Sequence, residues 1–192
     1  MIGIRIKKMF SFINKIKYKK FGKRSVIYKP ILISGKKYIE IGNHVFIRNN
    51  ARIEAINNWK GQAFAPLISI GNNTSIEQGF HCTSAGKLII GNNCDILPYV
   101  MITTINHSYD LIGVNYNEQT INVKDTIIND NCFIGMNAKI FPGVTIGANS
   151  IIGANSIVMS DIPEYSVAVG TPARVIKKYD FELKQWVKVG KE

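Results

Sequence analysis

Between Ile128 and Val158 an aliphatic residue returns at every sixth position: Ile128, Ile134, Ile140, Ile146, Ile152 and Val158. An amphipathic helix repeats at 3.6 residues and a half-buried strand at 2, so a sustained period of six, with Gly or Asn after the beat, describes a short strand and a turn, repeated. Such a unit cannot bury its apolar side alone. It must stack on its neighbour, which gives an all-β fold, a parallel β-solenoid with one continuous core. The beat extends upstream through Ile41, Ile47 and Ile53, then Ile70, Ile76 and Cys82, then Ile90, Ile96 and Ile102. Three beats make a coil, so the pattern predicts five triangular coils and three interior ladders. Each buried aliphatic side chain contributes roughly 1.5–3 kcal/mol. Gly42, Gly71, Gly91, Gly135, Gly147 and Gly153 follow the beat. They read as corner residues, placed where the backbone enters the left-handed region that Gly and Asn tolerate.

The breaks in the repeat carry more functional information than the repeat itself. Insertions follow Ile53, Cys82 and Ile102, all from the same corner, whereas the coils from Ile128 onward join without an extra residue. The longest insertion, 103–126, contains His107, and a long loop on a regular scaffold is where function concentrates. Asn106, Ser108, Tyr109 and Asp110 flank His107 and are of types that orient an imidazole. Imidazole is the natural side chain to take a proton from a hydroxyl at neutral pH, a contribution of about 10² to 10⁴-fold. His107 therefore reads either as a general base or as a loop histidine bonded to its own turn. His44 and His81 lie within regular coils and read as solvated corner groups. The sequence has no Ser-His-Asp ordering, P-loop, GxGxxG or zinc-ligand spacing. With no candidate nucleophile, direct transfer in a ternary complex is preferred to a covalent enzyme intermediate.

The net charge of +11 suggests nucleic acid until it is located. Twelve of the 24 Lys and Arg lie between Arg5 and Lys37, ahead of the first acidic residue, Glu40; the remainder holds 12 basic against 13 acidic residues, a net of −1. Ten of those twelve lie in an N-terminal arm, 1–30, and no nucleic-acid partner is expected. Within the arm, Ile2, Ile6, Met9, Phe10, Ile13 and Ile16 fall at helical spacing among lysines. This predicts a short basic amphipathic helix, either touching an anionic membrane face or packing on the end of the solenoid. No apolar run approaches the roughly 18 residues needed to cross a bilayer, and no signal peptide with a cleavage site is visible. The expected location is cytoplasmic, at the inner membrane face if the arm binds lipid. Cys82 lies on the beat, while Cys94 and Cys132 lie four residues after one; all three read as core fillers rather than redox or nucleophilic groups.

The repeat, the NHSYD motif on the long insertion, FIGMNAKIFPGVTIGANSIIGANSIV, and DIPEYSVAVGTPARVIKK resemble the hexapeptide-repeat acetyltransferases of sugars. These include the galactoside and maltose acetyltransferases and the O-acetyltransferases of capsule, O-antigen and exopolysaccharide synthesis. The resemblance spans about residues 39–178. It implies a left-handed β-helix, against the usual right-handed crossover preference, over 31–175, followed by a short C-terminal tail, 176–192. It also implies a homotrimer with active sites between subunits, acetyl-CoA as co-substrate without a metal, and a sugar acceptor that is nucleotide-linked, lipid-linked or polymeric.

By the same resemblance His107 is the catalytic base, and Glu77, Asn106, Tyr109, Asp110 and Phe133 are acceptor contacts. Met136 supplies a backbone amide to the thioester oxygen, and Ala154 a backbone contact to the pantetheine arm. Ser160, Thr171, Pro172, Arg174 and Lys177 fall where the adenine and phosphate end is held. Two positions depart from the common pattern: Phe133 stands where Trp is frequent and Ser160 where Lys is frequent, removing an indole hydrogen bond and one cation. The function implied is O-acetylation of a sugar hydroxyl in surface-polysaccharide synthesis. Alternatives are N-acetylation of an amino sugar and acetylation of serine or a small xenobiotic. A carbonic-anhydrase-like zinc branch of the fold would need three convergent histidines, which His44, His81 and His107 do not supply. A non-catalytic scaffold would not need the His107 insertion or GTPARVIKK.

Overall fold

The computed structural model describes residues 17–189. Three parallel sheets form the faces of a triangular prism, closed at its C-terminal end by an antiparallel hairpin. The six-residue beat maps onto three ladders. Ile41, Ile70, Ile90, Ile128 and Ile146 pair in register on the first face. Ile47, Ile76, Ile96, Ile134 and Ile152 do so on the second. Ile53, Cys82, Ile102, Ile140 and Val158 make the third. Each of these fifteen side chains is at most 2% exposed. Stacking a short strand on its equivalent buries one residue of each pair, which is what the period encodes.

The solenoid begins earlier than the beat suggests. Phe21, Ile27 and Ile33 pair with Ile41, Ile47 and Ile53, forming a further coil beneath the five. The described part of the basic arm, 17–30, is therefore not helical: it holds the strands Lys20–Phe21 and Val26–Ile27. No α-helix occurs among the described residues. The amphipathic pattern from Ile2 to Ile16 lies outside them. Ser25, buried four residues after Phe21, occupies the small-residue position of every other coil. Lys23 and Arg24 fill the turn where later coils carry Asn, so the basic run disguises a regular repeat.

The corners also depart from expectation. Backbone of positive φ occurs at the third residue after the beat, at Asn73 (56°), Asn93 (54°), Asn131 (58°), Asn149 (59°) and Asn155 (58°), and not at the glycines that directly follow the beat. Those glycines are required by stacking instead. A Cβ built on Gly71 would lie 2.5 Å from the backbone of Gly91, inside any allowed contact. Beside them runs a polar ladder: the amides of Lys23, Asn43, Asn72 and Asn92 donate in turn to Asn43, Asn72, Asn92 and Asp130 side-chain oxygens at 2.7–2.8 Å. Each corner amide is thereby satisfied by the coil above it.

All three cysteines are free and buried. Burial, with a smaller contribution from Glu54, pushes the Cys82 thiol up. A hydrogen bond with Cys94, and then burial, raises Cys132. Cys94 and Cys132 donate to the carbonyls of Asn129 and Gly147 at 3.2 Å, a filler's role.

After the final coil, Ser166–Gly170 extends the second face, and Ala173–Asp180 and Gln185–Lys188 turn back antiparallel beside it. The C-terminal tail is thus part of the sheet, held in part by an edge-to-face pair of Tyr179 and Trp186 at 5.5 Å.

Candidate active site

The third-to-first-face corner, where every insertion leaves, carries His107. Within the long insertion Ile105–His107 pairs antiparallel with Ile121–Val123, His107 opposite Ile121. Alternation along this ribbon places Ile105 and His107 on one side and Asn106 on the other. The ribbon leans on the first insertion, whose hairpin joins Asn58–Trp59 to Gln62–Ala63. Trp59 donates its indole N–H to the Gln119 carbonyl at 3.2 Å. Gln62 donates to the Ile121 carbonyl at 3.4 Å and accepts from its amide at 3.3 Å. Lys60 and Glu118 form an ion pair at 2.9 Å. Two insertions from different coils therefore make one clasp.

The exposed His107 ring meets Trp59 edge-to-face, with centroids 5.4 Å apart and planes at 77°. Both line a groove of about 220 Å³ together with Ile56, Thr83, Thr103, Ile105 and Ile121. The sequence neighbours expected to orient the imidazole do not bond to it. Ser108 instead pairs with Thr120 at 3.2 Å and accepts from Asn122 at 3.1 Å, and Tyr109 and Asp110 face solvent. Trp59 escaped the sequence reading, although its signal was present: it sits on an insertion that leaves the same corner as the one holding His107.

The remaining candidates gather elsewhere. Met136 and Ala154 occupy the second-to-third-face corner in successive coils, joined where the Asn155 amide donates to the Met136 carbonyl at 2.9 Å. Thr171 continues this edge, its hydroxyl 3.5 Å from the Asn155 carbonyl, with Pro172 following through a cis peptide bond. Glu77 lies on the same edge nearer the N-terminus, paired with Arg48 at 2.7 Å, whose guanidinium sits over Phe46. Phe133 projects from the second face, half-exposed, between Asp95 and Ile151.

Arg174 and Lys177, three apart, would point to opposite sides of a regular strand. A register shift between Val167 and Ala168 leaves Arg174 opposite Val169 and Lys177 opposite Val167, so both share the outward side of the second face. The bulge thus puts two cations on one surface beside Thr171 and Pro172. Ser160 belongs to the other corner, just after Val158 on the third face. The candidate residues therefore fall on different edges of the prism: His107 with its groove on one, and Met136, Ala154 and Thr171 beside Arg174 and Lys177 on another. His44, His81 and His107 form no cluster, and no group of three or more metal-binding side chains occurs among the described residues.

The described chain is thus a β-solenoid with an exposed histidine on a clasped insertion and two cations on an outer strand near its end. The model of the bacterial transferase hexapeptide family (six repeats) matches residues 125–159. An Escherichia coli K12 protein with a provisional designation as the lipopolysaccharide biosynthesis O-acetyl transferase WbbJ is 31% identical over 157 residues, covering 74% of this chain and 80% of its own. The galactoside O-acetyltransferase of the same organism is 38% identical over 117 residues, covering 58% of this chain and 57% of its own. A hexapeptide-repeat-containing acetyltransferase from Vibrio cholerae O1 biovar eltor, solved with acetyl coenzyme A, superposes with a TM-score of 0.52 at 25% identity, over 91% of this chain and 78% of that one. The chain belongs to the hexapeptide-repeat acetyltransferase family, and its fold is that family's left-handed parallel β-helix.

Proposed function

We propose that the protein transfers acetyl from acetyl-CoA to a hydroxyl of a sugar, with His107 as general base, in a centre assembled between copies of a homotrimer. The observation that carries this reading is His107 itself, exposed on a doubly braced insertion and facing a groove large enough for part of an acceptor. Its relatives named for O-acetyl transfer and the neighbour solved with acetyl coenzyme A support the donor and the reaction type.

In this mechanism the acceptor oxygen attacks the thioester carbonyl while His107 takes the hydroxyl proton. The carbonyl oxygen becomes an oxyanion facing the Met136 backbone amide, and such a donor is worth about 10² to 10³-fold. Collapse breaks the carbon–sulfur bond and the imidazolium returns the proton to the departing CoA sulfur. The strip formed by Ala154, Thr171, Pro172, Arg174 and Lys177 suits the rest of the coenzyme, its cations matching phosphate oxygens. Phe133 offers an apolar ring to the centre. Glu77, held by Arg48, lies on the acceptor side in this reading, with Asn106, Tyr109 and Asp110 contributed by the insertion, and Ser160 leaves the phosphates to Arg174 and Lys177. A surface-polysaccharide precursor at the cytoplasmic membrane face is the acceptor pool that suits the basic N-terminal region.

The reading is tested by following free thiol released from acetyl-CoA with sugar acceptors. His107→Ala is expected to keep the assembly and its melting temperature and to lose at least about a hundredfold in kcat. Unchanged turnover in that variant excludes His107 as the base. Transfer to amines but not to hydroxyls would redirect the activity to N-acetylation.

A further inference from the structure

The groove beside His107 has an unusual economy of polar groups. Thr83 and Thr103 line it, yet both hydroxyls are engaged by this chain. Thr83 Oγ1 lies 3.0 Å from His81 Nε2, and Thr103 Oγ1 accepts the Ile105 amide at 3.0 Å and sits 3.4 Å from its carbonyl. The Trp59 indole N–H is given to Gln119, and the Ile121 amide and carbonyl are held by Gln62. The uncommitted polar side chain on the wall is His107, which the reaction reserves for the hydroxyl under attack. The rest of the surface is Ile56, Ile105, Ile121 and the tryptophan ring.

At about 220 Å³ the groove is smaller than the roughly 300–1,000 Å³ of pockets that enclose a drug-sized ligand. It takes one edge of a sugar ring, not a nucleotide or a disaccharide. A hydroxymethyl group pushed against Ile56, Ile105 and Ile121 would give up hydration and meet no polar side chain on that part of the wall, whereas a methyl group would gain burial.

Building on the reading of His107 as the base toward a sugar hydroxyl, we propose that the acceptor is a 6-deoxyhexose, its C6 methyl seated against Ile56, Ile105 and Ile121. Ile56 then acts as a specificity residue. It is half-buried, so a threonine there adds a hydroxyl to the wall at nearly constant shape.

The test reads binding independently of turnover. The chain has two tryptophans, so Trp186→Phe leaves Trp59 as the fluorescent reporter of its own groove. The probes are matched methyl glycosides differing by the O6 atom alone: D-fucoside against D-galactoside, and L-rhamnoside against L-mannoside. The deoxy member of at least one pair is expected to bind about ten- to a hundredfold tighter, the range over which an apolar pocket discriminates against an added hydroxyl. Ile56→Thr is expected to bring that ratio close to one. Equal affinities in both pairs, tighter binding of the 6-hydroxy sugars, binding of none of the four, or a ratio that survives Ile56→Thr overturns the proposal. The His107→Ala turnover measurement is separate, so an intact base with no deoxy preference sinks this inference alone.

Discussion

His81 and His107 both lie on or beside the third face, and their surroundings differ. His81 is half-buried between Arg52 and Glu54, with Nε2 on the Thr83 hydroxyl. Burial first, then the Arg52 charge, hold its pKa below the ordinary value, with Glu54 opposing. The unfolded chain therefore takes up a proton near pH ~6.5 before the folded one does, so the stabilisation is complete above that pH and is lost as pH falls toward the folded value. We expect His81→Gln to flatten the decline in Tm between about pH 7.5 and 5.5; parallel curves for the two proteins would contradict it. The position of His107 on an insertion was legible in the sequence because the beat breaks there. Trp59 was not, because its contact joins two insertions that only the stacking of coils brings side by side. The flanking Asn106, Tyr109 and Asp110 looked equally suited to hold the imidazole, but strand alternation and solvent exposure carry them away from it.

At the scale of the element, the six-residue unit reveals a division of labour that composition alone conceals. Gly and Asn are both turn residues, and nothing in their spacing says which adopts the left-handed backbone and which is kept small by a neighbouring coil. In the structure Asn73 takes positive φ, while Gly71 lies against the Gly91 backbone. Gly71→Ala is therefore expected to cost about 1–3 kcal/mol by overpacking. Asn73→Gly, which keeps the turn geometry and loses one exposed hydrogen bond to Asn93, should change stability by less than about 1 kcal/mol. Thermal melts of the two variants compare them directly, and the reverse order would refute the assignment. The ladders and the five coils were readable because burial enforces the beat without exception. The first coil was missed because Phe21, Lys23 and Arg24 stand where the later coils have Ile and Asn. The C-terminal hairpin was missed because its strands follow no six-residue period.

On the scale of the whole molecule, the candidate residues lie on two edges of the prism. His107 and its groove lie on the corner after the third face, whereas Met136, Ala154 and Thr171 line the corner after the second, beside Arg174 and Lys177. Periodicity could place every one of these residues on the solenoid, but not across from one another, because the sequence of one chain does not encode which edges of two copies meet. In the proposed mechanism a base from one copy serves the coenzyme strip of another. The direct measurement is acetyl-transfer activity in mixed assemblies of two inactive variants, His107→Ala and Ala154→Trp, the second blocking the strip. Equal mixing of whole chains should restore about a quarter of the wild-type rate, since half the copies keep the base and half keep the strip in a closed ring of identical interfaces. A mixture no more active than either variant alone would show that both halves must belong to one chain, and would rule out a centre shared between copies.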